Sequence, residues 1–231
     1  MNIIQDFIPA GRRNRPGRNN PMLFVTIHET GNTNRGANAR AHGNYLKGND
    51  AANLPVSWHY TVDDAETYQH LPETEDAFHA GDGGGNGNRQ SIGIEIAVNS
   101  DGNFQRAVDR TAALVADICT RRGIPIANVR QHFDWSRKNC PQNIRAGRPH
   151  NWSVFLEKVE TAMKPAPEPE PTPSETINFD LFGKEIKIDG MIQNGRSFIA
   201  ARQLLEAMGG YSVGWDGDTS TVIVRRIPCE S

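Results

Sequence analysis

A run of alternating prolines divides this chain. In the segment KPAPEPEPTPSE at residues 164–175, proline occupies positions 165, 167, 169, 171 and 173. Proline has a fixed φ and no amide hydrogen, so such a run favours extended polyproline II and does not build a packed core. At about 3.1 Å per residue, the run spans roughly 30 Å. The chain is therefore predicted to fold as two units, residues 1–163 and 176–231, joined by a linker at 164–175.

The first unit mixes strand-like and helix-like segments. Its clearest strand is SIGIEIAV at residues 91–98, where Ile92, Ile94 and Ile96 share one face and Glu95 lies on the other. Further strands are predicted at 23–28 and 57–62, and helices at 38–46, 105–122 and 152–163. This mixture predicts an α/β domain with one central mixed β-sheet flanked by helices.

The second unit reads as a small α+β domain. Strands are predicted at 177–182, 184–188, 197–199, 211–215 and 221–225, with a helix at 200–208. The helix is expected to end at Gly209-Gly210, and the turn DGDT favours a hairpin between the last two strands. A unit of about 50 residues is near the lower size limit for independent folding.

Composition excludes some classes of function. Hydrophobic residues make up 37% and charged residues 23% of the chain, as in ordinary soluble globular proteins, and the net charge of −2 does not favour nucleic-acid binding. The four arginines at 12, 13, 15 and 18 are expected to be a solvated lead-in, with a nucleic-acid arm as the alternative. The sequence shows neither the roughly 18 apolar residues of a membrane span nor the apolar core of a signal peptide, so we expect no membrane insertion.

Three residues of types that bind zinc lie at strand ends and in loops. His28 ends the segment LFVTIH, and His132 and Cys140 lie eight residues apart in QHFDWSRKNCP. A set of two histidines and one cysteine leaves one tetrahedral position open for water, as in catalytic zinc sites. The spacing alone is a weak signal. The alternatives are a hydrogen-bonded histidine at a strand end, a capping histidine and a small buried cysteine.

Two further residues are candidates for the chemistry of the same site. Burying a carboxylate in the middle of a core strand costs free energy unless it is paired or takes part in a reaction. Glu95 is therefore a candidate general base for activating water. The alternative is a solvated strand face. Lys138 lies two residues before Cys140, where an ammonium group can stabilise an oxyanion, and is otherwise a surface lysine.

Four segments in this order carry a family resemblance: VTIHETGN, SWHYTVDD, FHAGDGGGNGNRQSIGIEIAVN and HFDWSRKNCP. Together they resemble the Amidase_2 family of N-acetylmuramoyl-L-alanine amidases, relatives of T7 lysozyme and the peptidoglycan recognition proteins. The similarity looks greatest to endolysins of Bacillus-type phages and prophages. It covers about residues 8–160.

The resemblance implies zinc-dependent hydrolysis of the amide bond between N-acetylmuramic acid and L-alanine in peptidoglycan. It places the ligands of one Zn²⁺ at His28, His132 and Cys140. The catalytic glutamate falls on Glu95 and the lysine on Lys138. We also expect a monomer that is made in the host bacterial cytoplasm without a signal peptide and acts on the wall after release through a holin or by mother-cell lysis.

At one of the positions expected to contact substrate, this chain differs from several members of the family. Several relatives carry a tyrosine where this chain has Trp58. Tyr60 lies two residues on and is expected to share a strand face with Trp58, whereas His59 points the other way and is expected to be structural. His79, in FHAG, corresponds to a place near the groove of the family. Trp58, Tyr60 and His79 are thus the expected substrate contacts.

The second unit resembles the small domain called copper amine oxidase N-terminal-like, on the segments NGRSFIAARQLLEAMGG and WDGDTSTVIV. It contains no histidine and hence no copper-ligand cluster, and the resemblance implies targeting to the cell wall. Three alternatives remain for the whole chain: a non-catalytic peptidoglycan-binding module, a host autolysin with the same chemistry, and an interaction role like the polymerase binding of T7 lysozyme.

Overall fold

The computed structural model describes residues 2–164 and, beyond them, the strands of the second unit together with residues 205 and 209. The chain divides into two compact units, Met1–Pro165 and Ala166–Ser231, and this division falls within the proline run. The geometry of the predicted linker itself lies outside the described residues.

The first unit is built on a six-stranded sheet with the order β1-β4-β3-β5-β2-β6. Its strands are β1 (Ile4–Gln5), β2 (Phe24–Glu29), β3 (Tyr60–Val62), β4 (Thr67–Gln69), β5 (Ser91–Ile96) and β6 (Val129–Gln131). The β3–β4 pair is antiparallel and the other four pairs are parallel, so the predicted mixed sheet is confirmed. The strands β1, β4 and β6 were not predicted, because two or three residues show no usable periodicity.

Seven helices surround this sheet. They are α1 (Ala39–Lys47), α2 (Asn49–Ala52), α3 (Asn86–Gln90), α4 (Phe104–Arg122), α5 (His132–Ser136), α6 (Gln142–Arg145) and α7 (Trp152–Met163). The three long helices α1, α4 and α7 confirm the predicted ones. Each begins after an asparagine whose side chain accepts a backbone hydrogen bond from the first turn, namely Asn38, Asn103 and Asn151. None of the helices in the described part of the chain combines the length and apolar character that crossing a membrane requires.

One face of the sheet forms the hydrophobic core. The isoleucines of β5 and the alternating residues of β2 pack there with α4 and α7 in one buried cluster, which includes Val25, Ile27, Ile92, Ile94, Ile96, Val115, Ile118, Phe155 and Val159. Burying each such side chain contributes about 1.5–3 kcal/mol. The predicted apolar face of the strand at 91–98 is therefore confirmed.

The opposite face of the central strands carries polar side chains. Strand registry places Glu95 on β5 between His28 on β2 and Thr61 on β3. Because side chains alternate along a strand, these three residues share the face turned away from the apolar core. The sheet thus lines up a histidine and a carboxylate on neighbouring strands.

The arginine-bearing N-terminal segment packs against the loop before α3. Arg15 forms a bidentate pair with Glu75, at 2.8 and 2.6 Å, and Arg18 donates to Asp76 at 2.8 Å. The expectation of a solvated lead-in holds for Arg13, which is exposed, and is wrong for Arg15, whose side chain is only 16% exposed and is hydrogen-bonded to Glu75.

The second unit contains two antiparallel sheets. One comprises β7 (Glu175–Leu181), β8 (Lys184–Gln193) and β9 (Arg196–Ile199), and the other is the hairpin of β10 (Tyr211–Asp216) and β11 (Thr221–Arg226). All five predicted strands are present, and β8 runs five residues further than expected. The helix expected at 200–208 lies largely outside the described residues.

Candidate metal centre

Three side chains predicted as metal ligands meet on the polar side of the sheet. The ligand atoms of His28, His132 and Cys140 all lie within 4.8 Å of one another. Nδ1 of His28 is 2.8 Å from Nδ1 of His132 and 3.9 Å from Sγ of Cys140. All three residues are buried. Two nitrogens and one sulfur at these spacings can all contact a single ion at 2.0–2.3 Å, so the donor set fits zinc.

Local structure brings the three ligands together from separate segments. His28 sits near the end of β2, and His132 is the first residue of α5, whose start is fixed by a capping box between Gln131 and Asp134. After α5 the chain folds back, so that the carbonyl of Cys140 accepts from the amide of Phe133 at 3.0 Å. This return places Cys140 beside the strand that carries His28.

Glu29 fixes the segment that carries Cys140. Its buried carboxylate accepts hydrogen bonds from the amides of Asn143 and Ile144 and from the Asn143 side chain, at 2.9–3.0 Å. Its own amide donates to Sγ of Cys140 at 3.4 Å. Burial raises the pKa of Glu29, and the hydrogen bonds from Asn143 oppose that rise. Glu29 is not among the residues predicted from sequence, although a carboxylate directly after a candidate ligand is a usable signal.

Burial sets the protonation of the ligands in the metal-free site. It lowers the pKa of His28 well below 6.5 and that of His132 to about 4, and the charge of Lys138 acts in the same direction on both. Burial also raises the pKa of the Cys140 thiol to about 12. The imidazoles are therefore neutral and ready to bind a metal, whereas the thiol must lose its proton on binding.

The carboxylate of Glu95 lies beside the same site. Its Oε1 lies 3.9 Å from Nδ1 of His28, and its buried Oε2 accepts no hydrogen bond from the described residues. Burial raises the pKa of Glu95 to about 8, with Lys138 lowering it and Glu29 raising it further. The alternative of a freely solvated strand face is wrong, because only 14% of the side chain is exposed. A buried carboxylate beside a candidate metal site is suited to accept a proton.

An open cavity of about 670 Å³ adjoins the cluster. Its lining includes Arg18, Phe78, His79, His132 and Lys138. Lys138 is exposed on this cavity, and its charge acts on the pKa of His132 and Glu95. The structure thus brings Lys138 together with the predicted ligands, at the wall of a space that can admit a substrate.

Trp58 and Tyr60 lie away from this cavity. Trp58 is 7% exposed, packs in a second buried cluster with Leu46 and Leu71, and donates to Oγ1 of Thr61 at 2.7 Å. Tyr60 belongs to the main core, and its hydroxyl donates to Glu73 at 2.8 Å. The expectation that these two residues share a strand face is wrong. Strand β3 begins only at Tyr60, so the two-residue alternation does not extend back to Trp58.

Two further histidines, His79 and His59, differ in their surroundings. His79 is buried behind the cluster, with Nδ1 2.9 Å from Nε2 of His28, and it also lines the cavity. His59 accepts from the amide of Gly93 and contacts the carbonyl of Glu75, so its expected structural role is confirmed.

The first unit thus combines a mixed α/β sheet, a buried set of two histidines and one cysteine that could hold a metal ion, and a neighbouring buried carboxylate. Residues 18–143 match the family model Amidase_2, described as N-acetylmuramoyl-L-alanine amidase. This match covers more than half of the chain and contains all five predicted catalytic and metal-binding positions. The chain belongs to the Amidase_2 family.

Individual relatives agree with this assignment. The chain is 51% identical over 144 residues to the N-acetylmuramoyl-L-alanine amidase XlyA of Bacillus subtilis strain 168, an alignment that covers 62% of this chain and 48% of XlyA. It is 36% identical over 212 residues to the amidase CwlH of the same organism, covering 91% of this chain and 80% of CwlH. The chain therefore spans about half the length of XlyA and most of CwlH.

Solved structures confirm the fold of the first unit. The catalytic domain of XlyA superposes with a TM-score of 0.65 at 46% identity, covering 69% of this chain and 99% of that domain. The resemblance of the second unit to the copper amine oxidase N-terminal-like domain stays a prediction.

Proposed function

We propose that this chain is a zinc-dependent N-acetylmuramoyl-L-alanine amidase that hydrolyses the amide bond between N-acetylmuramic acid and L-alanine in peptidoglycan. The observation that carries the proposal is the buried cluster of His28, His132 and Cys140 beside the unpaired Glu95, in a chain of the Amidase_2 family. These three ligands would hold one Zn²⁺. Bound zinc supplies Lewis acidity, which lowers the pKa of water to about 7 and polarises a carbonyl oxygen.

Glu95 is the general base of the proposed reaction. Its carboxylate accepts the proton of the attacking water while a bond forms between the water oxygen and the lactyl carbonyl carbon. The carbon–nitrogen bond then breaks, and Glu95 returns the proton to the leaving nitrogen of L-alanine. Burial raises the pKa of Glu95, so its carboxylate is a stronger base than that of an exposed glutamate, and a Zn²⁺ held beside it would favour the ionised form that the reaction needs.

Lys138 stabilises the negative charge that develops on the carbonyl oxygen. Its ammonium group lies on the cavity wall with His132, and its field already favours the ionised form of Glu95. An ammonium fixed beside a developing oxyanion lowers the barrier more than it stabilises the neutral amide. His79 lines the same cavity and remains a candidate contact for substrate.

The proposed biological role is that of a monomeric endolysin. A mutant endolysin from Bacillus subtilis superposes on the first unit with a TM-score of 0.65 at 45% identity. Such an enzyme is made in the host cytoplasm and reaches the wall through a separate release step, such as a holin. The second unit would bind the wall and raise the effective concentration of the catalytic unit on the polymer.

The test is to digest purified Bacillus peptidoglycan and to assay new L-alanine amino termini and new reducing sugars in parallel. The proposal predicts new alanine termini, no new reducing ends, and loss of activity with a chelator. Bound protein without any cleavage would instead support a non-catalytic binding module. New reducing ends would show a glycosidase and overturn the proposal.

A further inference from the structure

His28 can bind a metal through Nδ1 only if that nitrogen carries no proton. In a neutral imidazole one nitrogen donates and the other accepts, so the proton of His28 must then reside on Nε2. Nε2 lies 2.9 Å from Nδ1 of His79, and the two rings meet edge to face at 89°. The tautomer of His28 therefore depends on whether Nδ1 of His79 acts as an acceptor.

A chain of buried hydrogen bonds decides this question. The indole of Trp135 can only donate, and it donates to Oγ1 of Thr26 at 2.9 Å. The single hydroxyl proton of Ser91 is directed to the carbonyl of Gly87 at 2.6 Å, which can only accept. In the Thr26–Ser91 pair at 2.8 Å, Thr26 must therefore be the donor. The hydroxyl oxygen of Ser91 can therefore only accept a hydrogen bond from Nε2 of His79, which lies 3.4 Å away.

We propose that His79 is a positioning residue that fixes the tautomer of His28 for zinc binding. Because Ser91 can only accept from His79, the proton of His79 must lie on Nε2. Its bare Nδ1 then accepts from Nε2–H of His28, which leaves Nδ1 of His28 without a proton where it faces Nδ1 of His132 at 2.8 Å. The zinc part of this inference rests on the proposed function, whereas the tautomer part does not. Hydrogen-bonded partners of this kind orient ligating histidines and raise their basicity.

The surrounding structure is built to hold the His79 ring in this place. A Cβ atom at Gly93 would lie only 2.7 Å from Cγ and Cδ2 of His79, so the glycine of the SIGIE segment makes room for the ring. The amides of His79 and Ala80 both donate to Oδ1 of Asn88, at 2.8 and 2.7 Å. These hydrogen bonds hold the backbone of His79 in place, and Gly93 leaves room for its ring.

The first test uses the metal-free wild-type chain. Long-range ¹H–¹⁵N spectra report which nitrogen of each histidine carries the proton, and selective labelling of His28 assigns the signal. The expected result is His28 protonated at Nε2 and His79 protonated at Nε2. A metal-free His28 protonated at Nδ1 would overturn the proposal. This measurement is independent of catalysis, so it separates failure of the positioning role from failure of the amidase assignment.

The second test compares variants by competition with a zinc chelator. His79→Phe keeps the ring shape and removes the acceptor, so we expect about 10–100-fold weaker zinc binding. His79→Asn places an amide oxygen near the position of Nδ1, and should bind within a few-fold of wild type. His70→Phe alters another buried histidine, on the far side of Thr61, and should leave zinc affinity unchanged.

Two results of this comparison would overturn the proposal. One is unchanged zinc affinity in His79→Phe, and the other is an equal loss in His70→Phe, which would show a general effect of disturbed packing. If His79→Phe does not fold, Ser91→Ala takes its place, because it removes the hydroxyl that accepts from Nε2 of His79. A mixture of His28 tautomers with weaker zinc binding is then expected, and an unchanged tautomer would contradict the proposed chain.

Discussion

Replacing Glu95 by glutamine keeps the shape of the side chain and removes a buried charge. In the metal-free protein that charge has no hydrogen-bonding partner at Oε2 among the described residues, and burial raises the pKa of Glu95 from 4.5 to about 8. The carboxylate should therefore destabilise the fold wherever it is ionised. Its removal should greatly reduce turnover and at the same time stabilise the metal-free protein.

The sign of this effect follows from proton linkage. Between pH 4.5 and about 8, the folded chain holds the proton of Glu95 while the unfolded chain releases it, so wild-type stability falls as pH rises through this window. With about 1.4 kcal/mol per pKa unit, the unrelaxed cost above pH 8 is roughly 3–5 kcal/mol. Because 14% of the side chain is exposed and a buried glutamine amide has its own cost, we expect a net gain of about 1–3 kcal/mol.

The assay is urea unfolding of Glu95→Gln and wild type in chelator at several pH values between 4 and 8. The two proteins should be equally stable near pH 4, and the variant should become progressively more stable up to pH 8. Glu160→Gln, an exposed change on α7, is the control and should show no such trend. A variant that is less stable than wild type at pH 8, or a difference independent of pH, would refute the reasoning. In the zinc-loaded enzyme, turnover should fall by about 10²–10⁴-fold.

Three further predictions concern the ligand, the lysine and a remote ion cluster. Cys140→Ser should weaken zinc binding, and wild-type affinity should rise with pH, since burial raises the thiol pKa to about 12; unchanged zinc affinity by chelator competition would remove Cys140 from the ligand set. Lys138→Met should lower kcat by roughly 10²-fold in steady-state assays with zinc content unchanged, and an unaltered kcat would exclude the oxyanion role. Glu73→Gln should cost about 1–3 kcal/mol of unfolding free energy at pH 7, because the buried carboxylate accepts from Tyr60, Arg121 and Arg122. Burial opposes ionisation, but these bonds hold the pKa of Glu73 below 4.5, so the difference in urea unfolding should shrink below pH 4, and a constant difference would contradict the assignment.

The elements that could be predicted from sequence are those with local signals. The isoleucines of β5 alternate over six residues, which defines both the strand and its buried face. Asparagine caps mark the starts of α1, α4 and α7 within one residue of the predicted bounds. The prediction of His28, His132 and Cys140 as ligands rests on residue types that match zinc chemistry and on four segments that together resemble one family.

The features that escaped prediction depend on contacts distant in sequence. The role of Glu29 appears only when α6 is placed against the end of β2, more than 110 residues along the chain. Trp58 lies just outside β3, where strand alternation does not hold, and it packs in the buried cluster with Leu46 of α1. The need for glycine at position 93 comes from the His79 ring, which no local pattern reveals.

The most direct measurement on the whole account is a zinc titration of the metal-free chain, with release of L-alanine amino termini from peptidoglycan as the readout. We expect no release of L-alanine amino termini without metal, a linear return of activity up to one zinc per chain, and constant activity beyond that ratio. Glu95→Gln should bind the same one equivalent and release almost no alanine termini. Undiminished release from protein stripped of zinc, or full activity in Glu95→Gln, would contradict the central claim.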